Sequence, residues 1–307
     1  MPNLRLKKSE EVRDAITSKT KKKINKLYKE LAKETKEKIK RFEGMEDSGT
    51  KYLQQLRLNQ LKSELQELIK KTNEEVENII KEDIKEVSKS VESEMNEFLE
   101  KINFNYRFAH ISEDIVESVV NGTVYDKKWY LSKRIWQITE KEIDDINTII
   151  AKGIADGSST YDIAKDLEKY VNPSAKKDWE WSKVYPNTNK KIDYNAQRLA
   201  RTLTQHAFQQ SFEKAGEDNP FIIEYVWISA MIHGRTCQVC MDRDGQHYKK
   251  GELPLDHPNG LCTWAYVMED LRNVAKRINE WRESPKGTYP EIDRFAETLE
   301  PLYKDKI

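Results

Sequence analysis

In the first hundred residues, apolar side chains recur at intervals of three, four or their sums, within a chain rich in Lys and Glu. This spacing puts them in a narrow stripe along one helix face, so the segment is predicted to form long amphipathic helices. Ser9, followed by Glu10 and Glu11, predicts the start of the first helix, because a serine hydroxyl caps the N-terminus and acids favour the first turn. The first stripe comprises Val12, Ile16, Ile24, Leu27, Leu31, Ile39 and Phe42.

A second helix follows the polar stretch "EGMEDSGT", residues 43–50, which predicts a hairpin turn. The step from Leu68 to Val76 departs from a seven-residue repeat, so we expect a stutter there. Two antiparallel helices joined at the turn would form an elongated, coiled-coil-like hairpin over residues 1–102. A single long helix, or a share in a bundle with other subunits, is the alternative. The second stripe comprises Leu58, Leu61, Leu65, Leu68, Val76, Ile80, Ile84, Val87, Val91, Met95 and Phe98.

The composition excludes several classes of protein. Charged residues make up 35% of the chain and hydrophobic ones 37%, which is too polar for one compact globule and favours a globular part joined to solvated helices. Zero net charge argues against a general nucleic-acid coat. No apolar run reaches the roughly 20 residues of a membrane span, and the N-terminus lacks the apolar core of a secretion signal. An odd number of cysteines without such a signal indicates a reducing compartment.

The remaining sequence predicts more helices and one β-containing region. "SSTYDIAKDLEKYV" is a helix with Ser159 or Thr160 as its cap, and "YNAQRLARTLTQHAFQQSFEKAG" is a long helix closed by Gly216. Residues 172–189 read as a loop. "FIIEYVWIS" is a strand, because it is rich in β-branched and aromatic residues.

The predicted fold is therefore mainly α, with a small α+β C-terminal domain. Its parts are the hairpin over residues 1–102, a helical domain over 103–190, and a domain over 191–307 that carries a Cys/His cluster and a C-terminal helix.

That cluster holds all three cysteines of the chain. Cys237 and Cys240 are two residues apart, and after sixteen further residues His257 and Cys262 follow, separated by four. Two thiolates at this spacing can bind one metal from a tight turn, and a distant second pair completes a tetrahedron. Three Cys and one His form a closed structural zinc set, which would stabilise a region that has little core of its own. A redox dithiol and unliganded, packed cysteines are the alternatives.

The sequence alone leaves the choice of histidine open. His257 is preferred because it lies beside Cys262, His247 is the runner-up, and His233 could also substitute. His206, on a predicted helix, is interpreted as a surface or packing histidine.

The sequence supports two other functions less well. A nucleic-acid-binding zinc module would use Arg243, Lys249 and Lys250, which flank the cysteines, but four acids balance this charge: Asp242, Asp244, Glu252 and Asp256. An enzyme is not expected, because neither a paired-carboxylate arrangement for acid–base chemistry nor a Gly-rich phosphate cradle is present in the sequence. No catalytic residue is predicted.

The order of motifs resembles that of a known family. "ARTLTQHAFQQSFEKAG", the Trp-containing strand "YVWIS", "RTCQVCMDRDGQ" and "HPNGLC" look like the phage head morphogenesis domain, the minor head protein family that includes protein F of phage Mu. The resemblance covers residues 143–267. The matched positions are Cys237, Cys240, Gly245, His257 and Cys262.

Two positions depart from the family pattern. Gly260 and Leu261 stand where the family usually has Cys and Arg, and His233 stands near an acidic position of the family. The resemblance implies a minor capsid protein inside the virion head, bound to the portal protein and present in the host cytoplasm during assembly. It would assist procapsid assembly and DNA packaging or ejection. Major capsid or scaffolding protein would be further partners, packaged DNA a weaker one, and no membrane is involved.

Overall fold

The computed structural model describes residues 3–43, 51–174, 192–231 and 236–302. Within them the helices are α1 (Lys7–Ile39), α2 (Lys51–Lys101), α3 (Ile111–Val120), α4 (Leu131–Ala155), α5 (Thr160–Val171), α6 (Tyr194–Glu217), α7 (Gln238–Arg243), α8 (Leu271–Glu283) and α9 (Pro290–Glu297). The strands are β1 (Asn3–Arg5), β2 (Tyr106–Arg107), β3 (Ile222–Ile228), β4 (His247–Tyr248), β5 (Thr263–Met268) and β6 (Glu300–Pro301). The chain is 69% helical, so the mainly α prediction with a small β-containing C-terminal region is confirmed.

The chain divides into two compact units. Unit 1 comprises Met1–Thr17, Ile80–Val124 and Ala200–Ile307, and unit 2 comprises Ser18–Ile79 and Tyr125–Leu199. These units do not follow the three consecutive ranges expected from composition. Each takes a part of both α1 and α2, because the two long helices bury their stripes against segments that come much later in the chain.

The start of α1 differs from the prediction that Ser9 caps it. The helix begins at Lys7, and Ser9 is fully buried within it. The Glu94 side chain of α2 accepts hydrogen bonds from the backbone N–H of Lys8, at 3.2 Å, and from that of Ser9, at 2.8 Å. The Ser9 hydroxyl also donates to Glu94 at 2.7 Å. A carboxylate from another helix thus supplies the cap, which local sequence does not reveal.

Helices α1 and α2 are antiparallel, as the hairpin prediction requires. In unit 2, Tyr28 bonds Asn73 at 2.8 Å, and Arg41 bonds Glu64 at 2.8 Å, so the chain directions are opposite. The predicted turn lies outside the described residues, apart from its first residue, Glu43.

The expected irregularity in the α2 stripe has a polar explanation. Leu65, Ile69, Asn73 and Val76 are at most 1% exposed and follow one another at steps of four, four and three, whereas Leu68 is half-buried. The buried stripe therefore continues through Asn73. This residue is missed when only apolar residues are followed, because its side chain is polar.

Unit 1 contains a four-stranded antiparallel sheet in the order β1-β5-β3-β4. Strand β3 was predicted from its composition, but β1 was not, because three residues carry too little pattern. Phe212 of α6 stacks on Tyr266 of β5, with ring centroids 3.9 Å apart. Gly216 was expected to close α6 but lies within it, where an added Cβ would be 2.8 Å from both the Tyr225 hydroxyl and the Tyr266 ring. Close approach to the sheet, rather than helix termination, explains this glycine.

A second, two-stranded sheet of β2 and β6 also belongs to unit 1. Beside it the fully buried Phe104 ring stacks on Phe295, with centroids 5.5 Å apart, and lies 5.4 Å from the Trp281 ring. This aromatic cluster anchors α8 and α9 to the end of α2.

Unit 2 is helical. Ser159 caps α5 by accepting a 3.1 Å hydrogen bond from the Asp162 N–H, which confirms one of the two predicted caps. Among the helices of the described residues, none is long and apolar enough to cross a membrane.

Glu142 of α4 is fully buried in unit 2, and burial raises the pKa of its carboxyl to about 8. The Tyr28 hydroxyl lies 2.9 Å from one Glu142 oxygen and 2.8 Å from the Asn73 amide oxygen, yet it has only one hydrogen to donate. Asn73 donates to the other Glu142 oxygen at 2.8 Å. All three groups are satisfied when Glu142 is protonated and donates to Tyr28, while Tyr28 donates to Asn73.

We therefore expect the free energy of unfolding to fall as pH rises from about 4.5 to about 8, because the folded state binds a proton that the unfolded state releases. The slope from this group is at most about 1.4 kcal/mol per pH unit. Glu142→Gln reproduces the protonated form, so urea titrations across this range should show a flatter pH dependence and greater stability than wild type near pH 8. Glu140→Gln, on the same helix, should keep the wild-type slope. An unchanged slope in Glu142→Gln would refute the protonated assignment.

Candidate metal centre

The Cys/His cluster lies in unit 1, between β3 and β5. Cys237 immediately precedes α7, and Cys240 lies within this short helix. Residue Gly245 follows with a positive φ of 74°, a conformation that favours glycine and turns the chain back toward β4. The chain then returns through His257 to Cys262, which directly precedes β5.

The four predicted ligands lie in one cluster made of two overlapping groups. In the first group, the ligand atoms of Cys237, Cys240 and His257 all lie within 4.8 Å of one another. In the second, those of Cys240, Asp256 and Cys262 do the same. Cys240 is shared, so the structure brings all four residues to one place, and they could hold a metal ion. Asp256 is the member that the sequence analysis counted only as a balancing acid.

The first group already has the hydrogen bonds that orient metal ligands. Cys237 Sγ lies 3.4 Å from His257 Nε2. His257 Nδ1 lies 3.0 Å from the Pro258 carbonyl oxygen, which only accepts, so Nδ1 carries the hydrogen and Nε2 presents its lone pair to the cluster. The Cys240 backbone N–H donates to Cys237 and lowers the pKa of that thiol, whereas burial raises the pKa of the Cys240 thiol.

Helix α6 holds the segment that carries His257 and Cys262. The Gln205 amide nitrogen donates to Asp256 Oδ2 at 2.9 Å and to the Cys262 carbonyl at 2.6 Å. Gln209 accepts from the Asp256 N–H at 2.9 Å. His206 Nε2 bonds the Asp256 carbonyl at 2.9 Å and is buried, so the packing interpretation of this histidine holds.

Arg13 of α1 also contacts the cluster and was missed at the sequence level. Its guanidinium donates to the Cys262 carbonyl at 3.2 Å and lies 5.0 Å from the centre of the Phe208 ring. The residue is buried, so the segment before β5 is bound from both α1 and α6. The sequence offered no signal for this role, because Arg13 lies in a helix with many other cations.

Gly260 is required by the position of Asp256. A Cβ at residue 260 would lie 2.1 Å from Asp256 Oδ2 and 2.5 Å from Oδ1, well inside van der Waals contact. The Asp256 carboxylate, buried and bonded to the His257 N–H at 2.8 Å, occupies the space that a side chain would need. A side chain at residue 260 therefore does not fit beside Asp256.

The alternative histidines lie elsewhere or outside the described residues. His247 is on β4, and its Nδ1 lies 2.7 Å from Glu224 on β3, in neither ligand group. His233 falls outside the described residues. Among the described residues, His257 is therefore the histidine of the cluster.

The basic residues that flank the cluster are used in packing. Arg243 lies 5.0 Å from the centre of the Trp227 ring. Lys250 donates to the Asn219 carbonyl at 2.7 Å, and burial lowers the pKa of its amine. Two of the three cations proposed for a nucleic-acid module thus bind within the chain.

Comparison with family models, with curated protein sequences and with solved structures found no match.

Metal content will test the ligand set. We expect about one ion per chain for wild type by plasma emission spectrometry, and a large loss for Cys237→Ser, Cys240→Ser and Cys262→Ser. His247→Asn is the matched control and should keep the ion. Retention of the ion in Cys262→Ser would show that Cys262 is not a ligand.

Gly260→Ala should destabilise the chain by roughly 1–3 kcal/mol, because the new methyl group meets the Asp256 carboxylate. Asp256→Ala alone removes that carboxylate. The double variant should be less destabilised than the sum of the single effects, as measured by urea unfolding, since the methyl group then has space. Additive effects would contradict a direct steric conflict.

Proposed function

We propose that this chain is a phage minor head protein of the head morphogenesis type, with a C-terminal lobe held by one structural Zn²⁺. The single observation that carries the proposal is the continuity of the resembling motifs in unit 1. Helix α6, strand β3, the cluster and strand β5 pack on one another, and α6 binds the cluster directly through Gln205. The motifs whose order along the chain resembles that of the family therefore also contact one another in the folded chain.

Zinc is the metal that the donor set favours. Three thiolates and an imidazole bind Zn²⁺ tetrahedrally, with bonds of about 2.3 Å to sulfur and about 2.0 Å to nitrogen. Those bonds place a sulfur and a nitrogen about 3.5 Å apart, which agrees with the 3.4 Å between Cys237 and His257. A closed set of four protein ligands leaves no position for water or substrate, so in this proposal the ion is structural rather than catalytic.

The ion would stabilise a lobe with few strands. Apparent binding energies of structural Zn²⁺ are on the order of 10 kcal/mol and count as folding energy. In this lobe Zn²⁺ would join α7 to the segment before β5, which lacks regular structure from Gly251 to Cys262.

The helical hairpin would bind the portal protein through its charged outer faces. Its apolar stripe is not available to a partner, because residues such as Ile24, Leu58 and Leu61 are fully buried within this chain. The outer face of α1 in unit 2 is basic and exposed, with Lys21, Lys22, Lys29 and Lys33. A partner with an acidic surface would complement it.

This assignment implies the head interior near the portal as the location, with procapsid assembly and DNA packaging or ejection as the processes it assists. Major capsid or scaffolding protein is a further partner of the proposal. A zinc-containing nucleic-acid module is not favoured, because Arg243 and Lys250 are engaged in packing.

Co-purification with the portal protein of the same virus will test the proposal. Wild type should form a stable complex, and reversal of the four exposed lysines of α1 to Glu should weaken it at least tenfold, because the charges then repel. Deleting residues 1–100 is unsuitable, since it removes β1 and much of both units. Reversal of the exposed Arg272 and Lys276 on α8 is the control and should leave the complex intact. Absence of a wild-type complex would overturn the portal-binding role.

A further inference from the structure

A second surface, in unit 2, combines exposed aromatic rings with cations. Residues 125–136, "YDKKWYLSKRIW", hold four aromatic residues, four cations and one acid, in a chain with zero net charge. Trp129 is 45% exposed and Trp136 is 59% exposed, whereas Trp227 and Trp264 are fully buried. Large aromatic side chains grouped at the surface mark an interaction site more often than a packing defect.

The rings and cations lie next to one another at the start of α4. Lys133 and Trp136 are three residues apart on the same face of this helix, whereas Trp129 precedes the helix and its N-cap residue, Tyr130. The Lys133 amine lies 5.3 Å from the centre of the Trp129 ring and donates to the Lys128 carbonyl at 3.2 Å. The exposed Tyr130 lies beside them. We name this surface the aromatic–basic stripe: Lys127, Lys128, Trp129, Tyr130, Lys133 and Trp136.

The backbone before α4 holds the stripe in a defined form. Asp126 and Lys127 both adopt positive φ, 53° and 59°, which is uncommon for residues other than glycine and unusual for two in succession. The Lys128 N–H donates to the Tyr125 carbonyl at 3.0 Å and closes the turn. The loop therefore presents its two exposed lysines from an ordered turn, and strained backbone of this kind concentrates at functional sites.

We propose that the aromatic–basic stripe binds single-stranded nucleic acid. Exposed rings stack on bases, which are unpaired and accessible in a single strand, and neighbouring cations neutralise its phosphates. In this proposal Trp129 and Trp136 stack on the bases, and Lys127 and Lys128 neutralise phosphates of the nucleic acid. An acidic protein would complement the cations but would not require two exposed indole rings beside them. The proposal is independent of the metal centre and of the assembly role.

Fluorescence anisotropy with a labelled oligothymidine of about 15 nucleotides will test this on the full chain. Wild type should bind in low salt, and Trp129→Ala/Trp136→Ala should weaken binding at least tenfold, whereas Trp129→Phe/Trp136→Phe should retain most of it. Lys127→Glu/Lys128→Glu should reduce the slope of log affinity against log salt by about 1.4, the loss of two phosphate contacts. Arg272→Glu/Lys276→Glu, on α8, is the charge-matched control and should bind like wild type. Circular dichroism of each variant checks that the fold is intact.

Three outcomes would overturn the proposal. They are no binding by wild type at low salt, equal binding by the double alanine variant, and tighter binding of duplex than of single strand. Capture of an acidic protein through the stripe without any oligonucleotide binding would instead assign the surface to a protein partner.

Discussion

The amide of Gln205 makes the contact on which the arrangement of the metal centre depends. It donates to the Asp256 carboxylate and to the Cys262 carbonyl, so one side chain of α6 positions both ends of a segment that has no regular structure. Arg13 binds the same carbonyl from α1. Both donors are buried, where hydrogen bonds are strong and their loss is costly. The ligand segment is thus held by protein contacts as well as by any ion.

The histidine of the cluster is oriented by a hydrogen bond to the Pro258 carbonyl, as metal-binding histidines commonly are. In unit 2, too, buried polar groups form hydrogen bonds with other groups of the chain. There a buried carboxyl, Glu142, is satisfied through its own proton rather than through a cation, because Tyr28 and Asn73 together offer one donor too few. In both places polar groups are paired inside the chain.

Much of the architecture was predictable because it follows from local sequence: periodicity, composition and capping residues. The helical stripes of α1 and α2, the strand β3 and the Ser159 cap each have a local signal, and each is present in the structure. The errors have a common cause. Glu94 replaces Ser9 as the cap of α1, and Asn73 continues the buried stripe of α2, because partners distant in sequence satisfy these groups. Likewise the compact units are discontinuous, since long helices can bury their stripes against any later segment.

From residue spacing alone, the chain is predicted to be mainly helical, with three cysteines and one of three candidate histidines close enough along the chain to share one ion. Those properties depend on spacing, which is local. Contacts in the folded chain place Asp256 in the cluster and leave no space for a side chain at Gly260. They also pair His247 with Glu224. These outcomes depend on which side chains meet across elements far apart in sequence, and residue spacing carries no information about that.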